Sequence, residues 1–422
     1  MTLEPSRPEA PQRLRLLSSA LLAALVLSSC AAAGSNSGSD PGREFADFGE
    51  VLEEADGQTV DLWMYGGDEQ GNAYVDETLV PAAEEFGVTL RRVPVANTPD
   101  ALNRVLNELQ AGREDGSVDL VWVNGANFST GRQAEAWRCN WTGLLPNMAY
   151  TDPNDPLLTT DFGTPVDGCE AAWHNAQFTY FYNSETLPEP PTSLEGILDW
   201  AEANPGRFTY PAPPDFTGSV FLREVMLSTA GGADEVPLTY SEEAFDNHAP
   251  AALDALSDLA PSLWREGNTY PRDEQALNSL FADGEVDIAM TYGPARLTEL
   301  VASGALPDST KVLTLDEGSV GNASFLAIPV NAADAAGAMT VANLALSPEQ
   351  QSAKADPGVW GQFTVLDMDR LDSDQQSLFT QLPESPVVPS YEELSRNAHA
   401  ELGADWVTEL DDAWRRSVAT AP

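Results

Sequence analysis

Two short loops that follow predicted strands carry side chains suited to holding a small molecule. Their sequences are Tyr65-Gly66-Gly67-Asp68-Glu69 and Asn124-Gly125-Ala126-Asn127-Phe128. Each loop combines glycine, which permits tight turns, with side chains that hydrogen-bond or stack on a ring. In open α/β sheets, ligands bind beyond the carboxyl ends of the strands, near helix N-termini. The glycines could instead merely end the strands, but two such loops in the same topological position favour a binding site.

Catalytic chemistry finds little support. The three histidines, His174, His248 and His399, are far apart and show no H-E-x-x-H spacing. The chain contains no G-x-S-x-G nucleophile elbow, no P-loop and no glycine-rich dinucleotide motif. We therefore predict no catalytic residue, no metal and no cofactor. A secreted acidic glycoside hydrolase, or another carboxylate-based hydrolase, remains the alternative, because abundant acids make candidate carboxylate pairs unavoidable.

The charge composition excludes one class of partner. The 422 residues include 66 acidic and 21 basic side chains, a formal net charge of −45. Such a polyanion is repelled by phosphate backbones, so nucleic acid is not expected as a partner. Since 42% of the residues are apolar, the chain can bury a large core and is not expected to be disordered.

The first thirty residues indicate export. Three arginines precede an uncharged apolar run over residues 16–27, which has the length of a signal peptide. The run ends in Leu27-Ser28-Ser29-Cys30, which resembles a bacterial lipobox, so we expect cleavage after residue 29 and acylation of Cys30. An ordinary signal peptide with an accidental cysteine is the alternative. We expect an extracytoplasmic protein, lipid-anchored to the cell membrane, with residues 30–43 as a flexible tether.

Two cysteines remain after the predicted cleavage, Cys139 and Cys169. In an oxidising compartment an even pair favours a disulfide over a catalytic thiol. Two buried thiols are the alternative.

Strands and helices alternate along the mature chain. Strands are predicted over residues 59–65, 88–95 and 118–124, with a helix over 72–86 and another beginning at residue 98. Strands separated by helices of this length are typical of parallel crossover units. The first part of the chain is therefore predicted to be α/β. A surface adhesion module would instead show many short strands and repeats, and neither is found.

Several segments resemble the extracellular solute-binding proteins of ABC importers, which are periplasmic binding proteins of class II type. The residues that carry the resemblance are 173–198, with the strand end Tyr182-Asn183 and the turn Leu187-Pro188-Glu189-Pro190-Pro191, and then 281–294 and 323–332. Within that superfamily the sequence is most similar to the YnjB-like family, through residues 119–128, 166–173 and 205–219.

The resemblance implies an α/β, two-lobed fold in which each lobe is a mixed, mostly parallel sheet flanked by helices, and crossing strands form the hinge. Lobe 1 is expected from residues 44–176 and 320–350, and lobe 2 from residues 177–319. The C-terminal helices, residues 351–422, are expected to pack across the lobes. Such proteins capture a small solute by hinge closure and deliver it to a membrane permease. A monomer is expected.

Candidate solute contacts follow from the positions of residues in that fold. They are Tyr65, Asp68, Asn124, Asn127, Trp173, Gln177, Asp215, Phe216, Thr217, Ser219 and Tyr292.

Simpler roles compete with solute binding for three residues. Asp215 could be a helix N-cap, Trp173 could belong to the core, and His174 is more simply explained as a structural histidine. Aromatic and acidic side chains together favour an amine-like or cationic solute. An anionic solute at the helix start Thr217-Gly218-Ser219 is the alternative.

Overall fold

The computed structural model describes residues 43–419. The predicted lipidation site, Cys30, lies outside these residues. The strands of the described part are β1 (Thr59–Tyr65), β2 (Thr89–Val95), β3 (Leu120–Val123), β4 (Thr160–Asp161), β5 (Thr164–Pro165), β6 (Glu170–Gln177), β7 (Thr179–Asn183), β8 (Ile288–Thr291), β9 (Thr310–Leu313), β10 (Val320–Ala327) and β11 (His399–Ala400).

Sixteen α-helices surround these strands in the part of the chain that the structure describes. They are α1 (Phe48–Ala55), α2 (Glu69–Tyr74), α3 (Val80–Glu84), α4 (Thr98–Gln110), α5 (Ala126–Gln133), α6 (Pro156–Thr159), α7 (Leu194–Ala203), α8 (Phe216–Ala230), α9 (Glu242–Leu259), α10 (Glu274–Ala282), α11 (Ala295–Ala302), α12 (Ala335–Ala345), α13 (Pro348–Ala355), α14 (Ser373–Thr380), α15 (Tyr391–Leu394) and α16 (Ala404–Ser417).

The larger sheet, with its helices, is lobe 1. Its strand order is β11-β10-β3-β1-β2, and β6 pairs with β10. Strand β1 pairs in parallel with β2 and β3, whereas β10 pairs antiparallel to β3 and β6. Val60, Leu62 and Met64 alternate into the core with no exposed surface, which is why this segment forms a strand. The predicted strand over residues 59–65 and the predicted parallel crossovers are confirmed.

The first long helix starts earlier than predicted. Asp68 accepts a hydrogen bond from the backbone N–H of Gly71 and so caps α2. The helix then passes through a π-helical turn, Val75–Leu79, into α3. The predicted start at residue 72 was wrong because the carboxylate of Asp68 satisfies a free N–H group one turn earlier.

The smaller sheet, of lobe 2, is antiparallel and has the order β8-β7-β9, so the mostly parallel sheet expected for each lobe is wrong for this one, because β8 and β9 both run opposite to the central strand β7. Helices α7–α11 pack around it, and Phe178, Tyr180 and Phe181 are fully buried in its core. The chain crosses between the two sheets at Gln177–Phe178 and returns at Val320. At this crossing the Phe178 N–H donates to the carbonyl oxygen of Val320 at 2.9 Å, so the two crossing segments are hydrogen-bonded to each other.

The residues beyond the second crossing are shared between the two cores. Trp360, Val365 and Leu371 belong to the core of lobe 1. Trp406 and Trp414 of α16 belong to the core of lobe 2. The boundaries drawn from the sequence stay a prediction, and the C-terminal part contributes to both lobes, since β11 joins the larger sheet while Val387 and Leu394 lie in the core of lobe 2.

The predicted disulfide between Cys139 and Cys169 is present. It joins the segment that follows α5 to the residue before β6. No helix within residues 43–419 has the length and apolar character needed to span a bilayer.

Candidate functional site

Three aromatic rings from three parts of the chain meet where the lobes face each other. Phe216 begins α8, Tyr292 directly follows β8, and Phe162 lies in the turn between β4 and β5. The ring centre of Phe216 lies 6.3 Å from that of Phe162 and 5.0 Å from that of Tyr292. Phe216 is 46% exposed, whereas the other two are below 10%. We call these three residues the aromatic wall; nearly half of the surface of Phe216 in it is accessible to solvent.

The loop after β3 supports this wall from lobe 1. Gly125 adopts a left-handed conformation with φ of 61°, and a Cβ atom there would lie 3.3 Å from the Phe162 ring. Its N–H donates to the carboxylate of Asp161 at 2.7 Å. Burial raises the pKa of Asp161 to about 7. Asn124 and Asn127 of the same loop are half-buried, and the N-terminus of α5 already holds an acid of the protein itself.

The N-terminus of α8 is occupied in the same way. Asp215 caps it by accepting the Gly218 N–H at 3.1 Å, and burial raises the pKa of this carboxyl group. The Thr217 hydroxyl donates to Glu274 at 2.6 Å, and the Ser219 hydroxyl donates to Asp411 at 2.8 Å. One backbone donor and two hydroxyl donors that an anion could use here are therefore bonded to carboxylates of the chain.

The remaining predicted contacts of lobe 1 lie on and beside a packed cluster of rings. Tyr65, at the end of β1, is 44% exposed, and Asp68 accepts from the indole N–H of Trp360 at 2.8 Å. Trp173 is fully buried. Its ring is part of the tryptophan cluster, in which all ring centres lie 5.0–5.9 Å apart and whose members are Trp122, Trp173, His174 and Trp360.

Two buried bases lie in or beside this cluster. His174 has its pKa lowered by burial and by the nearby Lys354, whose own pKa is lowered by burial. Lys354 donates to the carbonyl oxygen of Trp173 and to Gln351. These contacts place Trp173 and His174 in the packed interior, and Trp360 connects that interior to Asp68 at the end of β1.

Gln177 lies at the crossing between the lobes. Its side-chain amide donates to the carbonyl and hydroxyl oxygens of Ser319, each at 2.8 Å. Glu224 of α8 accepts the N–H of Val320 at 2.5 Å, and burial raises the pKa of Glu224 to about 8. The structure thus places Gln177 among the hydrogen bonds of the hinge.

Several residues of this region were not predicted from the sequence. Phe162 and Asp161 lie in a two-residue strand and its turn, which carry no periodic signal. Glu401 pairs with Arg223, with distances of 2.8 and 2.9 Å and both side chains about 1% exposed. Asn322 of β10 is 6% exposed, and neither end of its amide has a hydrogen-bond partner. Pattern alone could have found none of these partners, because they are distant in sequence.

The structure brings together some predicted contacts and separates others. Phe216, Tyr292, Asn124 and Asn127 lie around the aromatic wall or on the loop that supports it. Other predicted contacts already bond to the protein through their polar groups, or pack in its core through their rings. These residues are Asp68, Trp173, Gln177, Thr217 and Ser219. Their role toward a solute stays a prediction, as does that of the exposed Tyr65.

Comparison with known proteins gives consistent results. The family model described as bacterial extracellular solute-binding protein matches residues 78–368. Protein YnjB of Escherichia coli (strain K12) is 36% identical over 379 residues, which cover 89% of this chain and 95% of that protein.

Solved structures of low sequence identity share the fold. A spermidine/putrescine ABC transporter substrate-binding protein from Streptococcus pneumoniae is 12% identical, with a TM-score of 0.59, covering 85% of this chain and 98% of that chain. A periplasmic thiamin binding protein is 16% identical, with a TM-score of 0.54, covering 85% and 96%. These likenesses confirm the two-lobed α/β fold of periplasmic binding proteins. The family match over residues 78–368 and the similarity to YnjB show that the chain belongs to the bacterial extracellular solute-binding proteins.

Proposed function

We propose that this protein captures a small organic cation between its lobes and presents it to the permease of an ABC importer. The observation that carries the proposal is the aromatic wall, because Phe162 comes from lobe 1 and Phe216 and Tyr292 come from lobe 2. A solute bound there touches both lobes. It therefore binds the closed form more tightly than the open form, and its differential affinity shifts the hinge equilibrium toward closure.

Two features support a cationic solute. The exposed face of Phe216 offers a cation–π contact. The N-termini of α5 and α8 are natural anion sites, but Asp161 and Asp215 already occupy them. A phosphate or carboxylate solute would have to displace a buried protein carboxylate.

The finer points of location and partners remain part of the proposal. Acylation of Cys30 would hold the protein at the outer side of the cell membrane, where its permease is reached by diffusion along the surface. The Cys139–Cys169 disulfide fits an oxidising compartment. The protein acts as a monomer and carries the solute unchanged, without catalysing a reaction.

The experiment is a thermal-shift and calorimetric screen of residues 31–422 with spermidine, thiamine and inorganic phosphate. A solute that binds only the folded state, supplied at a concentration of about 100 times its Kd, stabilises the folded state by about 2.7 kcal/mol. The unfolding midpoint then rises. We expect a cation to do this and to reduce the radius of gyration measured by X-ray scattering. A shift with phosphate alone would reverse the solute class, and the absence of any shift combined with turnover of a glycoside panel would favour the hydrolase alternative.

A further inference from the structure

We propose that Asn322 of β10 hydrogen-bonds the bound solute with both ends of its side-chain amide. It thereby selects an organic cation that carries a donor and an acceptor side by side, as an aminopyrimidine ring does. This inference rests on the proposed function, because it assigns a specificity residue to the same cleft.

The first support is the state of the Asn322 amide itself. Buried polar groups are almost always hydrogen-bonded, since leaving one without a partner costs its full desolvation energy. Asn322 is 6% exposed, yet both Nδ2 and Oδ1 lack a partner. Neighbouring amides differ in that one end of each is bonded: Asn175 donates to the Thr364 carbonyl at 2.9 Å and Gln177 donates to Ser319 at 2.8 Å, while their amide oxygens lack a partner. Among the buried amides that residues 43–419 contain, Asn322 alone is unpaired at both ends.

The second support is the position of Asn322 on the sheet. In β10, Asn322 pairs with Ala176 and Ser324 with His174, and the register shifts only beyond Ser324. Alternate residues of a strand share a face, and so do directly paired residues. Asn322 therefore lies on the face of the sheet that carries His174 of the tryptophan cluster, whose ring centre is 5.3 Å from that of Trp122.

Glu401 is the neighbour of Asn322 on the side of β10 that pairs with β11. Ala400 pairs in parallel with Gly321, so Glu401 and Asn322 are the next residues along two neighbouring strands. Glu401 accepts two of the three hydrogen bonds that Arg223 donates. Burial is the main cause that raises the pKa of Tyr292, and the charge of Glu401 raises this pKa further. Within the sheet, Asn322 is therefore flanked by the strand that carries His174 and by the segment that carries Glu401, whose charge acts on Tyr292 of the wall, and it lies two residues from Val320 of the hinge crossing.

The hydrogen-bonding groups of the Asn322 amide determine which groups a matching solute must present to it. Nδ2 donates and Oδ1 accepts, so a matching solute offers one acceptor and one donor next to each other. A polyamine offers donors only and would leave Nδ2 unpaired in a buried site. Such unpaired groups are the strongest source of discrimination between similar ligands. We therefore expect thiamine, which joins an aminopyrimidine edge to a cationic ring, to bind more tightly than spermidine.

The test compares Asn322→Leu and Asn322→Asp with the wild type by calorimetry, using thiamine and spermidine as probes on the full mature chain. Asn322→Leu should weaken thiamine binding by about 10- to 100-fold and spermidine binding much less. Without solute, its thermal midpoint should equal or exceed that of the wild type, since the lost groups have no partner in the free protein. Asn322→Asp keeps an acceptor and adds a negative charge, and should shift preference toward spermidine.

The matched control is Asn175→Leu, on the paired strand but on the opposite face of the sheet. Because Asn175 has a protein partner, this variant should lower the thermal midpoint and leave the ratio of the two affinities unchanged. The inference is overturned if Asn322→Leu binds thiamine as tightly as the wild type, or if it loses stability as Asn175→Leu does. Wild-type protein that binds spermidine but not thiamine overturns the inference and leaves the proposed function standing, as does binding of another cation from a wider screen.

Discussion

Phe216 packs its ring 5.0 Å from that of Tyr292 and still leaves 46% of its surface exposed. We expect Phe216→Ala to weaken binding of the cationic solute about tenfold, through loss of a stacking or cation–π contact. Stability should change little, since so much of the ring is already in solvent. Phe86→Ala is the matched control, because Phe86 is 45% exposed and lies in a surface groove beside Phe48 of lobe 1, far from the aromatic wall. Equal loss of affinity in both variants would contradict the assigned position of the site.

The ion pair between Arg223 and Glu401 gives a prediction of stability. Glu401→Gln leaves a guanidinium group in the interior without its bidentate partner, and we expect a loss of about 3–5 kcal/mol in the free energy of unfolding. Urea denaturation measures this. Arg272→Gln is the control: Arg272 is 82% exposed and pairs with Asp273 at the surface, so removing it should change stability by less than about 0.5 kcal/mol. A Glu401→Gln variant as stable as Arg272→Gln would show that the buried pair is dispensable.

The disulfide gives a second prediction of stability. Cys139 and Cys169 are 30 positions apart, and opening a loop of that size should cost about 3 kcal/mol of unfolding free energy. The double variant Cys139→Ala/Cys169→Ala should unfold at lower guanidinium concentration and show no sensitivity to reductant. The wild type, in contrast, should move to the midpoint of that variant when it is reduced. Identical midpoints for oxidised and reduced wild type would contradict this expectation.

The buried carboxyl group of Asp161 should make the stability of the folded protein depend on pH. Its pKa is about 7 in the folded protein, against an ordinary value of 3.8, because the carboxyl group is buried. The folded state therefore holds the proton more tightly than the unfolded state does. Its contribution to stability is complete below about pH 4 and is lost as the pH rises to about 7, by an amount on the order of a few kcal/mol.

The measurement is urea unfolding of Asp161→Asn and wild type at several pH values. Relative to Asp161→Asn, the wild type should lose stability between pH 4 and about 7 and then stay level. Asp254→Asn, which changes the net charge equally at an exposed position of α9, should follow the wild-type curve. Parallel curves for all three proteins would show that Asp161 does not carry this dependence.

Local pattern was sufficient for much of the fold. The alternation of buried residues in β1 and the proline and acid at the start of α4 are short-range signals, and both elements form where they were predicted. The disulfide was predicted from the oxidising compartment and from the even number of cysteines that remain after the predicted cleavage. These features depend on residues close in sequence or on chemistry that few residues share.

The site was harder to predict, because residue type does not reveal which partner a side chain takes. The hydroxyls of Thr217 and Ser219 suit a solute, but in the fold they donate to Glu274 and Asp411, the latter 192 positions away. Glu401 looks like one acid among 66 until its distance to Arg223 is known. Asn322 differs from other asparagines only through its missing partners. Such properties arise from packing and are not written in any local pattern.

The position of α16 in the core of lobe 2 has a consequence for how the protein folds during its synthesis. Trp406 and Trp414 complete a core whose sheet was made more than ninety residues earlier, and the Trp414 indole donates to the buried Tyr210 hydroxyl at 2.9 Å. A fragment ending at residue 319 would therefore expose apolar surface that α16 normally covers, and would not fold autonomously. The core of lobe 2 is therefore complete only after α16 has been synthesised, so this lobe folds late relative to the synthesis of its own sheet.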